Sequence, residues 1–389
     1  MKSARSFLLF SLLLCFGVTN AQSPTAPASG FNLFTKQGAT VRSSHAEGPA
    51  AVGGDLTIAG DWGVTFNVPG TFQVGGKTIG LVVGGKVVWQ SGNQFHVNNG
   101  TYVKIGDGTG TTVWYYNDQT PPINTTNLRI TPSTGGWSNS LHIGLTQSAA
   151  ALGVSSTVNP VIEPGVINFT SAFNTLESNS TAMGALTDNA IVYNVDNISG
   201  GPISHTNMPN KIRLFLNPGL NVLNVNYSDI QNLQEIGFDN STPPSATRYL
   251  VINVMNSGSV SWSGNFNAVG LSTGGSYATG NSYSHILWNF PNLTGNLTIS
   301  GSAWAGTVFA PFANVYKSGN SNIEGQVIAK QFIMNSGSGG ELHPWTFLPT
   351  VLPTGSAPST SICASPTTSS FTTPRSTVLS RRSRPSRCP

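Results

Sequence analysis

Fourteen carboxylates and six histidines are the residues of this 389-residue chain that could do acid–base or metal chemistry. General acid–base catalysis needs two positioned groups, most often an Asp/Glu pair. A hard cation needs several carboxylates at ligand spacing, and zinc needs histidines or cysteines close together. The linear spacing offers neither. No two acids stand at i, i+2, and Asp188 and Asp196, the nearest pair of interest, read as solvated loop residues. Asp107-Gly108-Thr109-Gly110 has the outline of a calcium loop but lacks further carboxylates, so it reads as a polar turn. His45, His96, His142, His205, His285 and His343 lie far from one another and from any Cys. The expectation is therefore no catalytic residue, no metal and no cofactor. His285 and the run Glu341-Leu342-His343 are the ones worth testing, with packing or a structural hydrogen bond as the first reading. No nucleophile elbow, P-loop or dinucleotide fingerprint occurs.

Residues suited to binding are plentiful. Eight tryptophans stand in a chain only 8% charged, and exposed Trp and Tyr stack on sugar rings or anchor protein contacts. Trp114-Tyr115-Tyr116 is the strongest candidate, because neighbouring strand residues point to opposite faces and some ring must face outward. Trp288 and Trp304 read as core. Ice binding would call for Thr-x-Thr at a regular repeat, and Thr109-Gly110-Thr111 is isolated. Sequons begin at Asn99, Asn124, Asn168, Asn179, Asn197, Asn226, Asn240, Asn292 and Asn296, each a possible N-glycosylation site.

The elements that must position these groups are short apolar runs punctuated by Gly, Asn, Ser and Pro, the pattern of an all-β protein. Two pairs of runs share an outline. Ala51-Val52-Gly53-Gly54-Asp55-Leu56 resembles Val82-Val83-Gly84-Gly85-Lys86-Val87 at a shift of 31. Gly306-Thr307-Val308-Phe309-Ala310 resembles Gly325-Gln326-Val327-Ile328-Ala329 at a shift of 19. A shift near 19 is about one turn of a parallel β-solenoid with Gly and Asn at left-handed corners. A β-sandwich, or several in series, is the alternative. One segment has another period: Phe169, Phe173, Leu176 and Met183, with Ser180 at the missing step, predict a helix capped by Asn168 or Thr170 and docked along the β body.

The ends differ from the middle. Lys2 and Arg5, the apolar run Phe7–Val18 and the small residues Thr19-Asn20-Ala21 read as a signal peptide over 1–21. The run is too short for a spanning helix, and Leu14 is bulky for a lipoprotein signal at Cys15. Residues 354–389 form a Ser/Thr/Pro tail whose five arginines are Arg375, Arg381, Arg382, Arg384 and Arg387, expected to be disordered. With these ends set aside, the β domain over 22–353 keeps 11 basic against 14 acidic residues, a formal charge of −3. The chain's +4 therefore does not belong to the domain, and without a basic cluster a nucleic-acid partner is excluded. Cys363 and Cys388, both in the tail, could pair with each other, link to another chain or stay free.

Several strings resemble the choice-of-anchor A family. Phe31-Asn32-Leu33-Phe34 and Glu47-Gly48-Pro49-Ala50-Ala51-Val52-Gly53-Gly54-Asp55 resemble its opening. Ser284-His285-Ile286-Leu287-Trp288-Asn289-Phe290-Pro291 resembles its most distinctive later string. The runs at 306–311 and 325–329 and Gly339-Gly340-Glu341-Leu342-His343 resemble its closing motifs, in order. The resemblance implies a solenoid-like, non-enzymatic adhesive domain on a cell surface or secreted, joined to different anchors in different proteins. Gly53, Gly54, Asp55, His285, Trp288, Asn289, Pro291, Glu341 and His343 are then family-motif residues of structural character. The anchor departs from the pattern: Leu352-Pro353-Thr354-Gly355 lacks one residue of a sortase signal, and no apolar stretch follows it. The expectation is an extracellular recognition domain for glycan or protein. A structural cell-wall or matrix protein, a β-helix polysaccharide-degrading enzyme and an ice-binding protein are the alternatives.

Overall fold

The computed structural model describes residues 22–123, 125–262 and 267–352. The expected signal peptide, the tail with its cysteines and Asn124 lie outside the described residues. The fold is a β-solenoid of three-faced coils, not a sandwich, and the two repeats noticed in the sequence are coils stacked in register. Ala51 pairs with Val82 and Val52 with Val83, while Val308, Phe309 and Ala310 pair with Val327, Ile328 and Ala329.

The first face is a continuous parallel ladder. Its strands run Tyr102–Ile105, Lys77–Val83, Ala50–Val52, Leu33–Thr35, Val327–Met334, Thr307–Lys317, Ile286–Asn289, Arg248–Val254 and Gly219–Val225. The order shows that the chain starts in the middle of the stack. Leu33–Thr35 pairs with Ala50–Val52 on one side and with Val327–Ala329 on the other. From there the chain winds outward to Tyr102–Ile105, crosses to the far end and winds back, so first and last coils meet at a central seam.

Small residues allow the coils to stack. A Cβ on Gly53 would lie 2.3 Å from the Lys36 carbonyl oxygen, one on Gly84 2.4 Å from that of Gly53, and one on Gly106 2.2 Å from that of Gly84. This corner needs glycine for close approach, whereas the sequence suggested left-handed corners. Asp55 receives the backbone N–H of Lys86 from the next coil at 3.0 Å. These contacts give the Gly-Gly-Asp motif a structural role.

The predicted helix is Phe169–Gly184, and the Asn168 side chain accepts the N–H of Ser171 as its cap. It lies on the first face with Phe173, Leu176, Ser180 and Met183 buried, and Phe173 stacks on Phe34 at 5.5 Å. Each large apolar side chain so buried contributes about 1.5–3 kcal/mol. Beneath its last turns runs an amide ladder. Asn253 donates to Asn224 at 2.7 Å and Asn289 donates to Asn253 at 2.8 Å. Asn289 and Asn253 also donate to the carbonyls of Ser180 and Met183, and Ser180 Oγ donates to Asn289. The ladder thus ties the strands beneath to backbone carbonyls in the helix's last turns, adding side-chain bonds to groups the helix and its cap already engage. Gly184 sits against Pro291, where a Cβ would come within 2.7 Å of the ring.

Two further motif residues, Trp288 and His285, are buried in the core. Trp288 is buried with Trp262 and Trp304 and donates to the Ala305 carbonyl at 2.9 Å. His285 is buried, its Nδ1 2.7 Å from the Asn281 carbonyl, and burial pushes its pKa down.

Candidate functional sites

The third face holds a cluster that linear spacing hid. Leu342–His343 pairs in parallel with Ile323–Glu324, and Ala46 bridges to Leu342 on the other side. Three polar–apolar–polar triplets thus lie side by side: His45-Ala46-Glu47, Glu341-Leu342-His343 and Asn322-Ile323-Glu324. The central Ala46, Leu342 and Ile323 point into the core. Residues two apart share a strand face, so the six flanking side chains form an outward grid with rows His45–Glu341–Asn322 and Glu47–His343–Glu324. Three of the fourteen acids, Glu47, Glu324 and Glu341, converge here, and the grid straddles the seam between first and last coils.

His343 is the centre of the grid. Its Nδ1 lies 2.6 Å from Glu324 Oε2, and its Nε2 lies 2.9 Å from Glu341 Oε2 and 3.8 Å from Glu47 Oε1. Burial alone would lower its pKa, but the bonds to Glu324 and Glu341 and the nearby charges win, pushing it up to about 9. His45 Nε2 lies 3.5 Å from Glu341 Oε1. Glu47 is buried and accepts from Asn67 at 2.5 Å and from the Tyr277 hydroxyl. Burial first, then this carboxylate, raises the Tyr277 pKa, and the Tyr277 ring packs on Trp345 at 4.3 Å. Glu341-Leu342-His343, noted in the sequence as a run to test with a structural hydrogen bond as the first reading, supplies the middle triplet. His45, Glu47 and Glu324 were missed, although the i, i+2 pattern of three triplets was the available signal.

The second candidate is at the far end of the same face. Thr111–Trp114 pairs antiparallel with Asn127–Pro132. The strand ends at Trp114, so the two tyrosines after it are not the strand residues expected. Tyr115 packs against the core and its hydroxyl accepts the Val161 N–H at 2.9 Å, while Tyr116 is 50% exposed. Trp114 donates to Thr131 Oγ1 at 2.9 Å and is paired with Arg129, whose guanidinium lies 4.2 Å from the Trp137 ring. Sequence reasoning did not connect Trp137 to this strip. A groove of about 610 Å³ is lined by Val113, Trp114, Tyr115, Tyr116, Asn117, Pro122 and residues 155–157. Exposed Ile123 and Val158 lie in the loops beside it.

Other expectations need correction or are met. Asn179 is buried and its amide donates to the Pro24 carbonyl at 2.9 Å, so it is not a glycan acceptor in the folded chain. Asn99, Asn168, Asn197, Asn226, Asn240, Asn292 and Asn296 are exposed. Asp188 is not simply solvated: it pairs with His205 at 2.8 Å. Asp107 does form a polar turn, accepting the N–H of Thr109.

The second face carries an outward row across seven paired strands: Ser261, Thr298, Tyr316, Ile333, Thr40, Thr57 and Val88. This is a lateral row across coils, not the Thr-x-Thr sought along the chain. No helix among the described residues is long and apolar enough to cross a membrane.

Three solved structures are similar at low identity. An ice-binding protein from an Antarctic biological consortium is 11% identical, covering 85% of this chain and 93% of its own, with a TM-score of 0.30. The ice-binding protein LeIBP from an Arctic yeast is 11% identical, covering 85% and 97%, with a TM-score of 0.29. The DUF3494 domain of a Shewanella frigidimarina ice-binding protein is 13% identical, covering 85% and 99%, with a TM-score of 0.26. No curated protein matches the chain. The family match is to an adhesive domain rather than an enzyme and does not itself support the choice-of-anchor A label. Over residues 24–344 the chain matches, and it belongs to, the family described as "Putative Ice-binding-like adhesive domain".

Proposed function

We propose that this chain is a secreted or surface-held, non-catalytic recognition domain that binds a neutral glycan through the groove beside Trp114 and Tyr116. One observation carries the reading: the groove is walled by aromatic rings and edged by Asn117, Ser155, Ser156 and Thr157, with no carboxylate, Lys, Arg or His in its lining. Rings stack on the apolar faces of sugars, while hydroxyl and amide groups bond to their edges. A charged ligand would find no counter-charge there. The signal-like start, the choice-of-anchor A resemblance and the adhesive family support a position outside the cell. The full chain on a glycan array should bind neutral polysaccharides, and Tyr116→Ala should weaken that binding at least ten-fold. Equal binding by the variant, or release of reducing ends from a bound polymer, would overturn the proposal.

Ice is a second reading, favoured by the seven-strand row on the second face with its Thr, Ser, Val and Ile side chains. Tyr316 interrupts the row. An ice-recrystallisation assay separates the readings: inhibition that disappears in Thr57→Tyr supports ice, and none at all leaves the face structural.

A further inference from the structure

We propose that the third-face grid is a binding site for a zinc-class dication, held by His45, Glu47, Glu341 and His343 and closing the seam between the first and last coils. The donor atoms of His45, Glu47 and Glu341 all lie within 4.8 Å of one another. The 3.5 Å between His45 Nε2 and Glu341 Oε1 matches two tetrahedral ligands about 2.1 Å from one metal. His343 presents Nε2 to the same carboxylates.

The surrounding groups complete a metal site's usual outer layer. Glu324 accepts from His343 Nδ1 at 2.6 Å, an arrangement that fixes the tautomer and aims the other ring nitrogen at the metal. Asn67 and Tyr277 hold Glu47, and the backbone N–H of Glu341 is bonded to Asn322 Oδ1 at 2.8 Å. Charge favours a cation: three carboxylates converge on the grid. On binding, the dication replaces the Nε2 proton of His343, which leaves to solvent. The donor set of two imidazoles and two carboxylates suits zinc-class metals better than calcium or magnesium, which prefer oxygen alone.

The seam position gives the site a consequence. His45 and Glu47 belong to the first coil, and Glu341 and His343 to the last, so one ion would clip together coils about 300 residues apart in sequence. Binding to the folded state alone would raise its stability in proportion to free metal.

The test is titration of the chelator-treated full chain with zinc chloride, read by calorimetry and by thermal melting, with magnesium and calcium chloride in parallel. The expected result is one zinc per chain and a melting rise of several degrees, with little response to magnesium or calcium. His45→Ala and Glu341→Gln should each bind at least ten-fold more weakly, and Glu324→Gln about 10–100-fold more weakly. His205→Ala, remote from the grid, should respond like the parent. Cobalt chloride should give visible absorption in the parent that is lost in Glu341→Gln, a readout independent of stability. No zinc binding by the folded parent, or equal zinc binding and cobalt absorption in folded Glu341→Gln, overturns the proposal.

Discussion

Two polar stacks run across the coils of this solenoid, one beneath the docked helix and one on the third face. The first is Asn224–Asn253–Asn289, in which each amide both donates and accepts, so the stack closes on itself and on the helix carbonyls. The second joins three carboxylates and two imidazoles, and its rows meet solvent at Glu341 and His45. Stacking coils place like positions side by side in both. An amide ladder is self-complementary and can be buried as scaffold. A carboxylate ladder is not, and needs a cation drawn from a proton or from outside. The comparison separates structure from site without reference to sequence motifs.

The amide stack is the place to break scaffold. Asn253→Ala removes bonds to Met183 and to both neighbouring amides and should cost about 3 kcal/mol in urea unfolding, because buried partners are left unpaired. The third-face stack should cost less. His343→Gln in metal-free protein removes the cation among three carboxylates and should cost about 2 kcal/mol by the same measurement. A larger loss at His343 than at Asn253 would reverse the assignment of scaffold and site.

Lys317 sharpens the comparison from the cationic side. It is buried on the second face, where among the described residues its partners are the Gly319 and Gly339 carbonyls, and burial pushes its pKa from 10.5 down to about 8. The folded chain therefore binds this proton less tightly than the unfolded chain. Measured against Lys317→Met, the parent should gain stability as pH increases from about 8 toward 10.5, while His343, with its pKa raised to about 9, gives up stability as pH rises through that value in both proteins. The smallest expected effect is at the groove. Tyr116→Ala, half-exposed in the parent, should change unfolding free energy by no more than about 0.5 kcal/mol.

Much of the scaffold was legible in the sequence because it follows from local rules. Phe169, Phe173, Leu176 and Met183 keep helical spacing, and Asn168 is a cap by residue type. The paired Gly-rich runs repeat because stacked corners exclude a Cβ. The grid was harder to read because its coils have unequal lengths and the last coil lies beside the first. The three polar–apolar–polar triplets share a pattern, but nothing in it says that the one at His45 lies beside those at Glu341 and Glu324. Only the seam, set by Leu33–Thr35 pairing with both Ala50–Val52 and Val327–Ala329, brings them together. The groove was half legible: Trp114-Tyr115-Tyr116 stand together in the chain, but Pro122 and residues 155–157 reach the groove through loop paths that spacing does not encode.

The most direct test of the recognition role is equilibrium binding of the full chain to its best neutral glycan from the array, beside Trp114→Ala/Tyr116→Ala. The account predicts saturable binding without release of reducing ends, weakened at least ten-fold in the folded double variant. Undiminished binding by that variant, or turnover of the glycan by the parent, would contradict it.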